Sequence, residues 1–406
     1  MQKKIVCVIM SIILLMPCLG LAAEQEKVNY EQWYERGKLL LQNKEYDKAI
    51  LAFGETIKIN PQSMESYLLR ANSYYLKKQY SLAIDDCSKV IEISPSYMEV
   101  YYNRANAYYS NQQYDLAIAD VSKFIEYSPL SANGYFLRAI CYNGKHQYDL
   151  SITDLSKEIE LDPMNFNSYH LRGLTYLILS KKNLAIYDFS KAIELNPSDI
   201  DAYLNRGICY EENKQYDLAL VDFTKVIEIN PRYENVYFKR AMLYLTEGNV
   251  NFAIGDLSEF LEVNPLSTEA YYIRGLLYAK QQDYNLAIAD FHKIAGITPK
   301  DIRPYRLCGD LYAGNHDYEL AINEFCKIVE LQPTDGEAYF NLAQAMELAG
   351  KNEEAITNYR IAIRHLSVEH SKAIKKANAR INGDWENLKE WVITGSTSNI
   401  IDIHTF

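Results

Sequence analysis

At 406 residues, 48% of them hydrophobic, the chain is long enough for several domains and apolar enough to build a core. A formal net charge of −11 repels phosphate backbones and discounts nucleic acid as a partner, since such binding draws its affinity from clustered cations. Tyrosine supplies 35 residues against 17 glycines and 11 prolines, a balance that excludes a loop-rich all-β chain and favours helices.

Residues 1–23 combine Lys3 and Lys4, an apolar run from Ile5 to Met16, and the small-residue end Gly20-Leu21-Ala22-Ala23 before Glu24. That is the layout of a secretory signal peptide. The expectation is cleavage after Ala22 or Ala23 and export, to the periplasm or beyond, from a bacterial cell. The alternative is an uncleaved anchor, because Ile5 to Ala23 spans a thin bilayer if Pro17 is tolerated; a membrane is a partner only in that case. Loss of Lys3 and Lys4 takes the charge from −11 to −11 − 2 = −13. Cys87, Cys141, Cys209, Cys308 and Cys326 remain, an odd number that argues against a full disulfide framework and fits small buried fillers. Cys308 and Cys326 share a repeat and could pair.

Prolines stand at 61, 95, 129, 163, 197, 231, 265, 299 and 333, each 34 residues from the last. A fixed period of this size signals a solenoid. With proline at position 32, repeats start at 30, 64, 98, 132, 166, 200, 234, 268, 302 and 336. Position 4 is then aromatic throughout, from Trp33 and Tyr67 to Tyr339, and position 8 is Gly or Ala. Position 11 is Tyr from Tyr74 to Tyr312, position 20 is Ala except for Ser151, and position 24 is bulky or apolar, as in Phe53, Phe189 and Tyr359. Positions 4, 8 and 11, and then 20, 24 and 27, each make one stripe on a helix. Small residues at 8 and 20 let the two helices approach while the rings fill the space beside them. Proline at 32 ends the second helix.

On these residues the chain closely resembles the tetratricopeptide-repeat family, whose hallmarks match Trp33, Gly37, Ala49, Phe53 and Pro61 and recur in each unit. The resemblance implies an all-α, right-handed superhelical solenoid of ten helix-turn-helix repeats over residues 30–369, specific for fold and only weakly so for function.

Arginine holds position 7 in repeats one to eight and aspartate position 23 in repeats two to eight. In an antiparallel hairpin that matches 8 with 20, these levels meet, so a charge-assisted pair is expected in each repeat. The pairs are Arg70 with Asp86, Arg104 with Asp120, Arg138 with Asp154, Arg172 with Asp188, Arg206 with Asp222, Arg240 with Asp256, and Arg274 with Asp290. Both residues are lost together at repeat nine, which has Cys308 and Glu324. Seven copies of one pair suit structure, not catalysis.

In the family, the first helices line a concave surface that positions 2, 5, 6, 9, 12 and 13 face. The resemblance therefore assigns partner binding to Asn72, Tyr75, Tyr102, Asn103, Asn106, Tyr109, Phe136, His170, Asn205, Phe238, Lys239, Tyr272 and Arg306, with Ile140, Leu174, Leu177, Met242, Leu245 and Leu276 making the later part more apolar. Exposed apolar surface usually marks a contact site, although some of these side chains could instead pack between hairpins. The family's carboxylate clamp, Lys at 5 with Asn at 9, is not reproduced: Asn72 and Asn106 have Leu68 and Tyr102 at position 5.

Residues 370–382, His370 to Ile381 within them, read as an amphipathic capping helix stopped at Gly383. Residues 383–406 form a short tail with Trp385 and Trp391. No metalloprotease motif, phosphate loop or nucleotide fingerprint occurs. His365 and His370 lie five apart, off one helical face, so neither metal nor cofactor is expected. The reading is a non-catalytic scaffold or adaptor of the cell envelope, with a protein or peptide as partner. A carbohydrate receptor that stacks sugars on exposed groove rings is the alternative.

Overall fold

The computed structural model describes residues 29–383. Every regular element among them is helical, and none of those helices is long and apolar enough to cross a membrane. The leader (1–23), Trp385 and Trp391 lie outside the described residues.

Two compact units divide between Asn213 and Lys214, inside the sixth repeat. The first contains α1 (29–42), α2 (Tyr46–Ile59), α3 (Met64–Leu76), α4 (Tyr80–Ile93), α5 (Glu99–Ser110), α6 (Tyr114–Tyr127), α7 (Ala132–Gly144), α8 (Tyr148–Leu161), α9 (Phe166–Ile178), α10 (Lys182–Leu195) and α11 (Ile200–Glu212). The second contains α12 (Tyr216–Ile229), α13 (Glu234–Thr246), α14 (Val250–Val263), α15 (Thr268–Lys280), α16 (Tyr284–Ile297), α17 (Arg303–Gly314), α18 (Tyr318–Leu331), α19 (Gly336–Leu348), α20 (Asn352–His365) and, after a short 3-10 turn, α21 (Ser371–Ile381). Within each unit, successive helices pack on one another as stacked helix-turn-helix pairs.

Local chemistry sets the boundaries. The residue before each position-32 proline leaves the helix, as at the extended Asn60 (φ −129°, ψ 92°), because the proline ring disfavours helix there. Asn60 Oδ1 accepts from the Gln62 N–H at 3.1 Å, and Asp162, Asn196 and Asn230 make the same turn. Two residues beyond the proline, Asp199 and Asp335 cap the next helix by accepting from the Ala202 and Ala338 N–H groups at 3.0 and 2.9 Å, which satisfies otherwise orphaned donors. Inside each hairpin the turn passes through a left-handed residue at position 15. This is Gly248 or Gly350 in two repeats but Lys44, Lys78 or His146 in others, so no glycine signals the turn.

Positions 8 and 24 are matched in volume. A Cβ on Gly37, Gly173, Gly275 or Gly309 would stand 2.6 to 2.8 Å from the ring of Phe53, Phe189, Phe291 or Phe325, all four of which are fully buried. Where position 24 is smaller, as at Cys87, Val121, Leu155 and Leu257, position 8 is alanine: Ala71, Ala105, Ala139 and Ala241. Gly173→Ala is therefore expected to overpack the hairpin and cost about 1–3 kcal/mol. Phe189→Leu alone leaves a void. The double variant installs the Ala139–Leu155 combination and should lose less than the sum of the two single changes. Strict additivity in urea unfolding would contradict this matching.

Candidate functional site

The polar residues inside the hairpins fall into one repeated arrangement. Arg70 donates through Nε and Nη2 to both oxygens of Asp86 at 2.8 and 2.7 Å. Arg104–Asp120, Arg138–Asp154, Arg172–Asp188, Arg240–Asp256 and Arg274–Asp290 form the same fork, all between 2.7 and 2.9 Å. Of the remaining expected pair, Arg206 belongs to the first unit and Asp222 to the second. The aspartates are buried. Burial pushes Asp86 and Asp188 above the usual carboxylate range even though the facing guanidinium pulls them down.

Two further contacts complete the arrangement, and neither is apparent from helix periodicity alone. The free Nη1 donates to a hydroxyl at position 25 of the preceding repeat: Arg104 to Ser88, Arg138 to Ser122, Arg172 to Ser156, Arg206 to Ser190, Arg240 to Thr224 and Arg274 to Ser258, at 2.8 to 3.2 Å. The guanidinium also lies over the rings at positions 4 and 11, as with Arg104 at 5.7 and 5.6 Å from Tyr101 and Tyr108, where the ring quadrupoles attract it. The tyrosines at 4 and 11 thus hold a cation as well as filling space.

Of the residues assigned to partner binding, Asn72, Tyr75, Asn103 and Asn106 come together. They line a cleft of about 450 Å³ between α3 and α5, floored by Leu68, Ala71, Ala83, Cys87 and Ala107. Asn72 and Asn103 are exposed, whereas Tyr75 and Asn106 are half-buried. Asn106 Nδ2 donates to the Tyr102 carbonyl at 2.9 Å, and Tyr75 shares a 3.1 Å hydrogen bond with Ser110. Burial pushes the Cys87 thiol up to about 12, so it stays neutral and serves as apolar floor.

The other assigned residues are placed differently. Tyr102 packs on Phe124 and Tyr109 on Tyr114, with centroids 5.1 and 5.9 Å apart, and both are half-buried. Phe136 is also half-buried. His170 bonds Asp199 at 2.7 Å and sets its ring edge against Phe189, and Asn205 donates to the Asp201 carbonyl at 2.8 Å. Phe238, Met242, Leu245 and Tyr272 pack against the core of the second unit, to which the buried Leu276 belongs outright. Lys239 is half-buried. Tyr272 also borders a smaller recess of about 200 Å³ with Thr268, Glu269 and Arg303. Arg306 is held by Asp335 and Glu337 at 2.6 and 3.0 Å. The groove rings at positions 5 and 12 are thus partly covered by their neighbours, which weakens the support for sugar stacking there. The described cysteines are all free; Cys308 and Cys326 are not bonded to each other.

Models described as tetratricopeptide repeat match residues 30–63, 102–165, 166–199, 200–233, 238–302 and 327–357, and one described as TPR repeat matches 71–112. The chain is a multi-repeat tetratricopeptide-repeat protein. Tetratricopeptide repeats generally mediate protein–protein contacts and are typically non-catalytic. No curated protein matches the chain. Among solved structures, the C-terminal part of a TPR repeat-containing protein from Cytophaga hutchinsonii is 21% identical, with 58% of this chain and 97% of that one covered and a TM-score of 0.53. A MamA fragment from Desulfovibrio magneticus RS-1 is 19% identical over 42% of this chain and 97% of its own, with a TM-score of 0.41. YrrB, described as a TPR protein with an unusual peptide-binding site, is 21% identical over 49% and 98%, with a TM-score of 0.40. At these identities the likeness concerns the fold.

Proposed function

We propose that this tetratricopeptide-repeat protein is a non-catalytic scaffold of the cell envelope that holds an extended segment of another protein between α3 and α5. The observation that carries the reading is the cleft itself, in which the exposed amides of Asn72 and Asn103 rim a floor of small apolar side chains. A side-chain amide offers both a donor and an acceptor, so a row of them pairs with the N–H and C=O groups of a peptide backbone whatever its sequence. The floor then takes one or two apolar side chains and supplies specificity. Placement in the envelope is supported by the leader-like layout of residues 1–23, and the recruited protein is accordingly another exported one. A photoreactive side chain at position 103, used in the native envelope with the same probe at the exposed position 92 on α4 as control, tests the reading. Exported proteins captured at 103 and not at 92 are the expected result, and recovery of cytoplasmic proteins alone would overturn the location.

A further inference from the structure

The Arg–Asp–hydroxyl arrangement is absent at the two ends of the row, and where it first breaks off, after repeat eight, all three of its members are replaced by metal-ligating side chains. At the junction of repeats eight and nine, position 25 is His292 instead of Ser or Thr, position 7 is Cys308 instead of Arg, and position 23 is Glu324 instead of Asp. These are three metal-ligating side chains in place of an ion pair and a hydroxyl. They project from α16, α17 and α18, and their ligand atoms all lie within 4.8 Å of one another. His292 Nε2 and Glu324 Oε1 are 3.0 Å apart, while the buried Cys308 thiol donates weakly to the Ile288 carbonyl at 3.9 Å.

The geometry points to a divalent-cation site formed by His292, Cys308 and Glu324, of the borderline-soft type that takes Zn²⁺. An imidazole, a thiolate and a carboxylate are the donor set that zinc accepts, at about 2.0–2.3 Å, with neighbouring ligands then roughly 3.4 Å apart. The widest separation thus needs to close by up to about 1.4 Å, and the 3.0 Å His292–Glu324 pair to open slightly, both within the reach of side-chain rotation. Charge supports the assignment. In the other repeats Arg⁺, Asp⁻ and a hydroxyl sum to zero. Here a doubly charged ion with Cys⁻, Glu⁻ and neutral His also sums to zero, so the ion can sit on this flank without stranding a charge. Tyr305 and Tyr312 still occupy positions 4 and 11, the pair of rings that elsewhere holds the guanidinium. On binding, the Cys308 thiol loses its proton to solvent as the metal–sulfur bond forms. Because His292 is exposed and Glu324 partly so, the fourth position is open to water. The ion would tie repeat eight to repeat nine, as the Arg–hydroxyl bond does elsewhere.

Titration of the purified chain with Co²⁺ as a zinc substitute tests the assignment. One ion per chain is expected, with a thiolate-to-cobalt charge-transfer band and the intense visible bands of a tetrahedral ion. Cys308→Ser should abolish the charge-transfer band. His292→Ser, which installs the residue common at position 25, should weaken cobalt binding by at least about tenfold, the smallest loss that even outer-shell changes produce. The triple variant H292S/C308R/E324D rebuilds the arrangement of the other repeats, so it should retain the helical circular dichroism of the parent, bind no cobalt, and gain no thermal stability from Zn²⁺ where the parent does gain it. A parent chain with no charge-transfer band, or a band that survives Cys308→Ser, would overturn the site.

Discussion

Asp188→Ala is expected to cost about 3–5 kcal/mol, because it strands a charge in the hairpin. Arg172 is held by both Asp188 oxygens at 2.8 Å and by Ser156 at 2.9 Å, and its side chain is 14% exposed against 1% for the aspartate. Taking both groups out of water uses up most of what their attraction returns, which is why burial holds the Asp188 carboxyl above its ordinary range despite the guanidinium. The net worth of the intact pair is accordingly modest. Removing one partner is a different matter, since the remaining guanidinium keeps its desolvation penalty and loses two charge-assisted bonds. Arg172→Leu combined with Asp188→Ala should therefore cost less than Asp188→Ala alone. The tenth repeat already follows that course, with a buried Leu342 at position 7 and Asn358 at position 23. Urea unfolding of the three variants measures the difference. A near-neutral Asp188→Ala, or a double variant worse than the single, would contradict this account.

Asp310→Asn should stabilise the protein, and by an amount that depends on pH. One carboxylate oxygen of Asp310 is buried with no hydrogen-bond partner. Burial pushes the group up to about 7; Arg306 opposes that shift and Glu337 adds to it. Arg306 does not cancel the burial, because its guanidinium is already engaged by Asp335 and Glu337. The folded carboxyl is thus a weaker acid than the unfolded one, which titrates near 3.8. Below that value both states are protonated and Asp310 costs nothing. As pH rises from about 4 to about 7 the unfolded state ionises first and stability falls, and above 7 the cost is complete at roughly 2–4 kcal/mol. Asparagine removes the titration, so the gain in Tm over the parent should be large at pH 8 and shrink steadily toward pH 4. An equal gain at both ends would show that the carboxyl is not the cause.

The fold was legible because the period was written in residues with strict backbone demands. Proline at position 32 forces its neighbour out of helix, and small residues at 8 and 20 admit close packing, so the stripes on two helices follow directly. The Arg–Asp pairs were legible for the same reason, since both members sit in one hairpin 16 residues apart. What periodicity did not show are contacts that cross from one repeat to the next. Arg306 reads as a groove cation but reaches Glu337 in the following repeat as well as Asp335 at the end of its own. Within single repeats, too, His170 is tied to Asp199, the last residue of its own repeat, and Leu276 turns into the core. Position 25 carried a signal in its run of Ser and Thr, which becomes meaningful only once the next repeat's arginine is seen to reach it. The same blindness hid His292, Cys308 and Glu324, whose approach requires three helices from two repeats. Asn72, Asn103 and Asn106 meet in one cleft because they lie on facing sides of consecutive first helices, a relation that the repeat register does supply.

Under the proposed function, the amide-rimmed cleft between α3 and α5 is where the partner is gripped. Photocapture from position 103, compared with position 92 in the same native envelope, measures that most directly. The expected result is an adduct at 103 that position 92 lacks and that Asn72→Ala with Asn106→Ala removes while the fold is retained. Equal capture from both positions, or an adduct indifferent to those two asparagines, would contradict it.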